Sequence, residues 1–396
     1  MKGPGGQARD RFGTSAYSEA RNALVRGNAM PDASAPAPSP GTSRSTSATI
    51  APTILRYLAR VAHDYDVDLQ PLLTRVGLDA TVMASTALRV SYRQGSDVIR
   101  QAVEQTGDEH LGLRVGAAQH LTAWGLLGFA MMAADTQQEA VETGVRYQNL
   151  SGAMTVWSAG WEDAGYVLRA DLPDPALDPT VAVFLIEEGY SSVVTLLRLN
   201  VGASFAPQAI DFAFPAPRDR RPFEELFRCP VRFDAAGNRM VILTRWAQAA
   251  MPGRDPITYA STLDVLDREM ASQRNQQELL EVLEISIAQS LPVVPSFLEQ
   301  ARRRASSERT LRRRLADCGT TYEAIVDGVR RERAEQLLRR PELTLRDIAR
   351  QAGFADVSAL RRAVRRWHGA TPLELRTELL GREAPSSPAA RVTPRP

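Results

Sequence analysis

Eight arginines in two short clusters are the residues of this 396-residue chain best placed to do chemistry: Arg309, Arg312, Arg313 and Arg314 in ERTLRRRLADCG, and Arg361, Arg362, Arg365 and Arg366 in VSALRRAVRRWHG. One guanidinium bonds O6 and N7 of guanine as a fork and another neutralises a phosphate, so a short element carrying several can both read and hold duplex DNA. Ser307, Thr310, Ser358 and Ala359 stand among these arginines and complete the candidate contact set.

Such side chains need rigid elements to aim them. In Leu345–Gly369, Ile348 and Ala349 give a short helix an apolar face, Gly353 suits a left-handed turn and Asp356 caps the next helix. The spacing predicts that helix over Val357–His368 with Leu360, Val364 and Trp367 inward. Ser358, Ala359, Arg361, Arg362, Arg365 and Arg366 fall on its outer side and flanks. A solvated basic helix is the plainer alternative, but turn glycine, cap, apolar face and basic face all fall in register.

Ala301–Gly319 repeats the plan less regularly. Phe297, Leu298 and Ala301 start it, Ser307 caps, Thr310, Leu311 and Leu315 punctuate a helix, and Gly319 ends it. Between the units, Tyr322, Ile325, Val326, Val329, Ala334, Leu337 and Leu338 form a stripe that predicts a spacer helix of roughly 20 residues and about 30 Å. One turn of B-DNA is about 34 Å, so two such helix-turn-helix units can address successive major-groove faces.

The segment Pro295–Arg376 resembles the DNA-binding domain of the AraC/XylS family of bacterial transcription regulators. The resemblance rests on SERTLRRRL, on the RxxxAxxLL of Arg330, Ala334, Leu337 and Leu338, on the IAxxxGF of Ile348–Phe354, on RRAVRRWHGATPLELR and on the GxxP of Gly369–Pro372. It implies base contacts from Arg309, Arg312 and Arg313 in the first unit and from Ser358, Ala359 and Arg362 in the second. Departures occur at Arg304, Ala305 and Ser306, where relatives carry Leu, Gly and an apolar residue, and at Leu360 and Val364, where they carry phenylalanines. Upstream, Ile54 to about Met251 resembles the "arabinose-binding" N-terminal domain of one branch of that family, in GLDATVMASTALRVSYRQ, GDEHLGLRVG, WGLLGFAMMAADTQQEAVETGVRY and FRCPVRFDAAGNRMVI. Branch members sense varied small molecules, so a sensing and oligomerisation domain is implied, and arabinose is not.

Length and an apolar share of 44% allow two or three domains. Charge divides them: residues 291–383 hold 20 arginines against 13 acidic residues, a net of +7, whereas residues 1–290 hold 26 basic against 33 acidic, a net of −7. A basic end on an acidic body suits a protein that presents one face to phosphate. The expected organisation is a disordered lead-in over 1–49, an α+β effector-sensing and dimerisation domain over 50–256, a helical linker over 257–290, an all-α DNA-binding domain with two helix-turn-helix units over 291–383, and a disordered tail over 384–396. The featureless residues before Met30 suggest Met30 as the natural start.

In the sensing domain, helical spacing covers Ile54–Asp64, Leu69–Val76, Ser96–Gln105, Leu126–Ala133 and Gln137–Leu150, and a long helix covers Pro179 to about Leu199 with Glu187 and Glu188 in its middle. Ala153–Ser158 and Gly165–Ala170 alternate like a hairpin, strands are expected at Ala209–Phe214 and Met240–Leu243, and a short helix around Glu224–Phe227. Tyr259–Ser290 carries an apolar stripe of Leu263, Leu266, Met270, Leu279, Leu280, Leu283 and Ile287, read as a domain connection and a dimer seam or as packing on the chain's own core. For the effector, Trp124, Phe129, Tyr147, Trp157, Trp161 and Tyr166 concentrate the aromatic surface, with Arg146 and Arg169 as charge for an anionic ligand, against the alternative that these are ordinary core and surface residues.

Cys229 and Cys318 lie far apart, and His63, His110, His120 and His368 lack ligand-spaced companions, so no disulfide, metal or cofactor is expected. No apolar run reaches about 18 residues, which excludes a spanning segment on this reading and fits a cytoplasmic, nucleoid-associated protein. The expected function is a sequence-specific regulator, an activator by family habit, that answers a small-molecule effector and meets promoter DNA and RNA polymerase, as a homodimer. A low-specificity architectural protein is the first alternative. An enzyme fused to a DNA-binding unit is the second, though the sequence holds no HExxH, GxSxG or phosphate loop.

Overall fold

The computed structural model describes residues 48–78, 83, 88–174 and 177–383. The expected lead-in, the Met30 start, most of ATVMASTA and the tail lie outside the described residues.

The N-terminal part is built around one apolar helix, Pro179–Val201, whose start is capped by Asp178. Its first turns, through Val181, Phe184 and Leu185, pack on a helical layer made by Thr53–His63, Gln70–Arg75, Tyr92–Thr106 and Leu111–Ala117. Further along, Ile186, Tyr190, Val194 and Leu197 pack on a five-stranded sheet. A helix apolar all round belongs in a core. This one is long and apolar enough to span a bilayer, and most of it is buried inside the protein.

The sheet runs in the order β3 (Val156–Glu162), β4 (Gly165–Asp171), β7 (Arg239–Ile242), β5 (Ala209–Asp211), β6 (Val231–Arg232). Neighbours are antiparallel except β5 and β6. Edge strand β3 is largely exposed, while β4 buries Tyr166, Val167, Leu168 and Ala170. A two-stranded pair, β1 (Ala48–Ile50) with β2 (Val90–Ser91), completes the strands. The α+β expectation holds, with adjustments. The hairpin starts at Val156, three residues beyond the expected Ala153, and β5 is shorter than its alternating pattern. The helix expected over Gln137–Leu150 breaks after Arg146, where the buried ring of Tyr147 leaves the helical path, and resumes as Gln148–Ser151.

A single helix of 35 residues, Pro256–Ser290, connects the two halves, its first turn capped by Asp255. Leu266 and Met270 on its first half join a core with Leu121, Met131, Tyr147 and Met251, whereas Leu279, Leu283 and Ile287 on its second half join Ala301, Leu311, Leu315, Tyr322 and Ile325. The seven stripe residues, Leu263, Leu266, Met270, Leu279, Leu280, Leu283 and Ile287, all pack in the chain's own two cores.

The C-terminal part is all helical: Phe297–Arg303, Glu308–Asp317, Tyr322–Leu338, Leu345–Gln351, Val357–His368 and Pro372–Glu383. Tyr322–Leu338, the spacer, has 17 residues, shorter than the expected 20, and spans about 25 Å.

Candidate DNA-binding face and effector cavity

Each arginine cluster sits on a side-chain-capped helix. Ser307 Oγ accepts from the Thr310 amide at 3.1 Å and lies 2.9 Å from the Thr310 hydroxyl, and Asp356 Oδ1 accepts from the Ala359 amide at 2.7 Å. Leu311 and Leu315 bury one helix, and Leu360, Ala363 and Val364 bury the other, against the two sides of the spacer's core. The helices are equivalent 49 positions apart: Ser307 with Asp356, Leu311 with Leu360, Leu315 with Val364. On the same offset, Arg309 corresponds to Ser358 and Arg313 to Arg362, and 100° per residue puts all four opposite the buried side. Ser307, Arg309, Thr310, Arg312, Arg313, Arg314, Ser358, Arg361, Arg362, Arg365 and Arg366 are exposed, and Ala359 is half-buried.

Two of these arginines are engaged within the chain. Arg312 lies over the Phe297 ring at 5.4 Å. Arg366 reaches Asp327 on the spacer at 2.5 Å, where Trp367 Nε1 also donates at 2.8 Å, so one member of the candidate contact set is tied to the scaffold. His368 adds a contact of 3.0 Å to Glu335, and Arg93, from the N-terminal half, stands 3.7 Å from the same carboxylate. Among the described residues, Arg309, Arg313, Arg314, Arg361, Arg362 and Arg365 have no ion pair, which leaves them free to meet an external anion. Cys318 is half-buried beside the first unit's core, and burial followed by Asp317 holds its thiol above the ordinary value, the reverse of a reactive sensor.

The N-terminal half carries a partly open cavity of about 110 Å³ between Pro179–Val201, Gln137–Arg146 and the hairpin. Trp124 and Trp157 line it with Ile54, Leu127, Met131, Val141, Val145 and Leu168. The other aromatic candidates lie elsewhere: Phe129 and Trp161 are exposed, and Tyr147 and Tyr166 are buried in separate cores. Both arginine candidates are spent outside the cavity, Arg146 on Asp267 at 2.9 Å and Arg169 on Glu162 at 2.5 Å. The charge is instead Glu188, with Thr53, Gln119, Gln148, Ser151, Thr155 and Ser192 as the polar lining. Two glutamates in the middle of an apolar helix were the signal for it. Glu187, the neighbour, turns to buried His110 at 3.4 Å. Burial pushes both glutamates up to about 7, against the opposing hydrogen bonds from His110 and Gln119.

The cavity wall is joined to the long helix: Thr143 Oγ1 and the Tyr259 hydroxyl are 2.8 Å apart, and Tyr147 donates to Asp267 at 2.7 Å beside the Arg146 pair. At its other end, Gln300, fully buried in the first unit, donates to Ser286 of the long helix at 3.0 Å and accepts from Arg304 at 2.6 Å. Among the described residues no group of three His, Cys, Asp or Glu is placed to hold a metal.

Two capped, arginine-faced helices on one helical scaffold, behind a separate cavity-bearing α+β half, define a helix-turn-helix transcription regulator. Residues 67–251 match the family described as the arabinose-binding domain of AraC transcription regulator, N-terminal, and residues 300–378 match a helix-turn-helix domain. The chain belongs to the AraC family of transcription regulators. It is 26% identical over 313 residues to the ornithine utilization regulator of Pseudomonas aeruginosa, covering 79% of this chain and 92% of that one. It is 26% identical over 279 residues to the regulator VqsM of the same organism, covering 67% and 83%. The crystal structure of the regulator CdpR from Pseudomonas aeruginosa covers 81% of this chain and 98% of its own at 25% identity, with a TM-score of 0.39. These relatives are regulators of transcription.

Proposed function

We propose that the chain is an effector-responsive, sequence-specific activator that lays its two recognition helices in successive major grooves of a promoter. The observation that carries this reading is the pair of matching outward faces, Arg309 with Arg313 and Ser358 with Arg362, with the arginines unpaired among the described residues. These four side chains read bases, with Arg312 and Ala359 at the edge of the reading face. Ser307, Thr310, Arg314, Arg361 and Arg365 hold phosphate, and Arg366 acts through Asp327 by fixing the second helix on the spacer. Residues 50–256 sense and dimerise, 257–290 connect, and 291–383 bind DNA. The partners are promoter DNA, RNA polymerase, a second copy of the chain and a small metabolite, a reading supported by a relative named for ornithine utilization.

The route for the signal is the long helix. An occupant of the cavity displaces Gln137–Arg146, the Tyr259 and Asp267 contacts pass the shift on, and the far half of the same helix lies in the first unit's core. Two arrangements of the reading heads then differ in their fit to one duplex.

Footprinting and competition binding at controlled salt test the DNA assignment. Arg313→Ala or Arg362→Ala is expected to weaken the cognate site by about 1 to 3 kcal/mol with little change on bulk DNA. Arg361→Ala and Arg365→Ala should instead flatten the salt dependence on every duplex. An equal loss on all DNA from Arg313→Ala and Arg362→Ala returns those residues to phosphate contact and favours a low-specificity coat.

A further inference from the structure

Glu188 is an unusual lining for a cavity. It is 6% exposed, and no other ionisable side chain lines the space. The Gln119 amide donates to its Oε1 and, among the described residues, Oε2 has no hydrogen-bond partner. Gln119 is itself oriented, because its Oε1 accepts from Ser192 Oγ at 3.1 Å, which turns its NH₂ group toward the carboxylate. Gln148 is likewise committed, accepting from the Trp157 amide at 2.7 Å and donating to the Trp157 carbonyl at 3.1 Å. The arrangement thus presents Glu188 as an acceptor with one oxygen in reserve and no cation beside it. Glu187, next on the helix, is on the His110 side and does not line the cavity.

A buried carboxylate is costly unless something positive meets it. The walls say what the rest of such a ligand is. Trp124 and Trp157 line it with indole rings, which can attract an ammonium group and cover alkyl carbon, and much of the remaining lining is aliphatic. Trp157 is seated against the helix at Gly189, where an added Cβ would stand 2.5 Å from Cζ2, so that ring forms a fixed wall. Resting on the effector-sensing reading above, we propose that the cavity binds a compact organic cation, a primary or secondary ammonium ion whose N–H groups bond Glu188 while its carbon chain lies against Trp124 and Trp157.

The test uses the full chain, calorimetry and tryptophan fluorescence, with n-butylammonium as the probe and 1-butanol and butyrate as its neutral and anionic counterparts. Saturable binding of the ammonium ion at millimolar concentration is expected, roughly tenfold tighter than the alcohol, with no saturable binding of butyrate. Glu188→Gln should abolish that preference and leave the weak alcohol affinity in place. A second measurement needs no variant. The burial-raised carboxyl must ionise to take a cation that is charged throughout the range, so affinity should rise roughly tenfold between about pH 6 and 8. Equal or tighter binding of 1-butanol or butyrate overturns the proposal, as does affinity that falls with rising pH, since the carboxyl then acts as a neutral donor. Absence of any saturable ammonium binding overturns it too. Promoter discrimination measured on the same preparation separates the outcomes: retained discrimination without ammonium binding sinks the ligand class alone, and lost discrimination sinks the regulator reading.

Discussion

The two helix-turn-helix units share a backbone plan and differ in what holds it. In the second, Ile348, Ala349, Ala352, Leu360 and Val364 make an apolar core on Leu337 and Leu338, Gly353 takes φ 76° at the turn, and Asp327 and Glu335 tether the recognition helix to the spacer. In the first, fully buried Gln300 occupies the place of Ile348, bonded to Ser286 of the long helix and to Arg304, and the turn residue is Ala305 at φ 47°. The core of one unit is made by the C-terminal helices, with Arg93 of the N-terminal half reaching only its Glu335 tether. The other is completed by a helix whose far end belongs to the sensing half. The difference teaches that the first unit shares a helix with the N-terminal half; under the proposed effector response, the second unit anchors and the first responds.

The largest expected effect breaks the second unit alone. Ile348→Ala leaves a void in an all-apolar core and should cost about 3 kcal/mol. Native-state hydrogen exchange on the full chain should show protection lost across Leu345–His368 and retained across Phe297–Asp317. Equal loss in both segments would mean that the two units form a single cooperative body, and the contrast between them would fail.

A smaller effect sharpens the same contrast through pH. Burial, the largest single influence on Glu335, pushes its carboxyl up, yet the His368 hydrogen bond with Arg93 and Arg331 together holds it below the ordinary value. A depressed folded pKa stabilises the fold above the unfolded value, near 4.3, and that contribution fades as pH falls through the folded pKa. Glu335→Gln should therefore cost roughly 1 kcal/mol in the second unit at neutral pH and progressively less as pH falls below about 4.3. First-unit protection should not respond to the substitution across that range.

Legibility in the sequence divides along the same line. The second unit's helix forms over Val357–His368 as its spacing predicts, because cap, turn glycine and apolar face are all local signals that the tertiary structure respects. The first unit's cap at Ser307 and its inward Leu311 and Leu315 were equally visible. Gln300 was not: a polar residue reads as surface until Ser286, on another helix, is known to lie beside it. Of the six clustered aromatics only Trp124 and Trp157 line the cavity, and Arg146 and Arg169 pair outside it. Their partners, Asp267 far along the chain and Glu162 across a hairpin, are set by topology that no local pattern carries. The spacer's apolar stripe, Tyr322 to Leu338, coincides with the 17-residue helix, so its ends are legible and only the rounded length of 20 overshoots.

The smallest effect has the opposite sign and bears most directly on the turn. A left-handed backbone costs an L-residue about 1 to 2 kcal/mol, and a glycine there forgoes that cost but loses about 0.5 to 1 kcal/mol to the greater freedom of its unfolded chain. At Ala305 the balance favours glycine, so Ala305→Gly should stabilise the first unit by about 0.5 kcal/mol. At Gly353 the balance favours what is already there, and an added Cβ would also stand 2.9 Å from Leu291 Cδ2 and 3.0 Å from the Pro292 carbonyl. The turn of the second unit is thus locked by packing, while that of the first is held under mild strain near buried Gln300. Exchange protection across Phe297–Asp317 should rise in Ala305→Gly. A fall would show that the alanine methyl makes a contact worth more than the strain, and the responsive character of the first unit would then rest on Gln300 and the long helix alone.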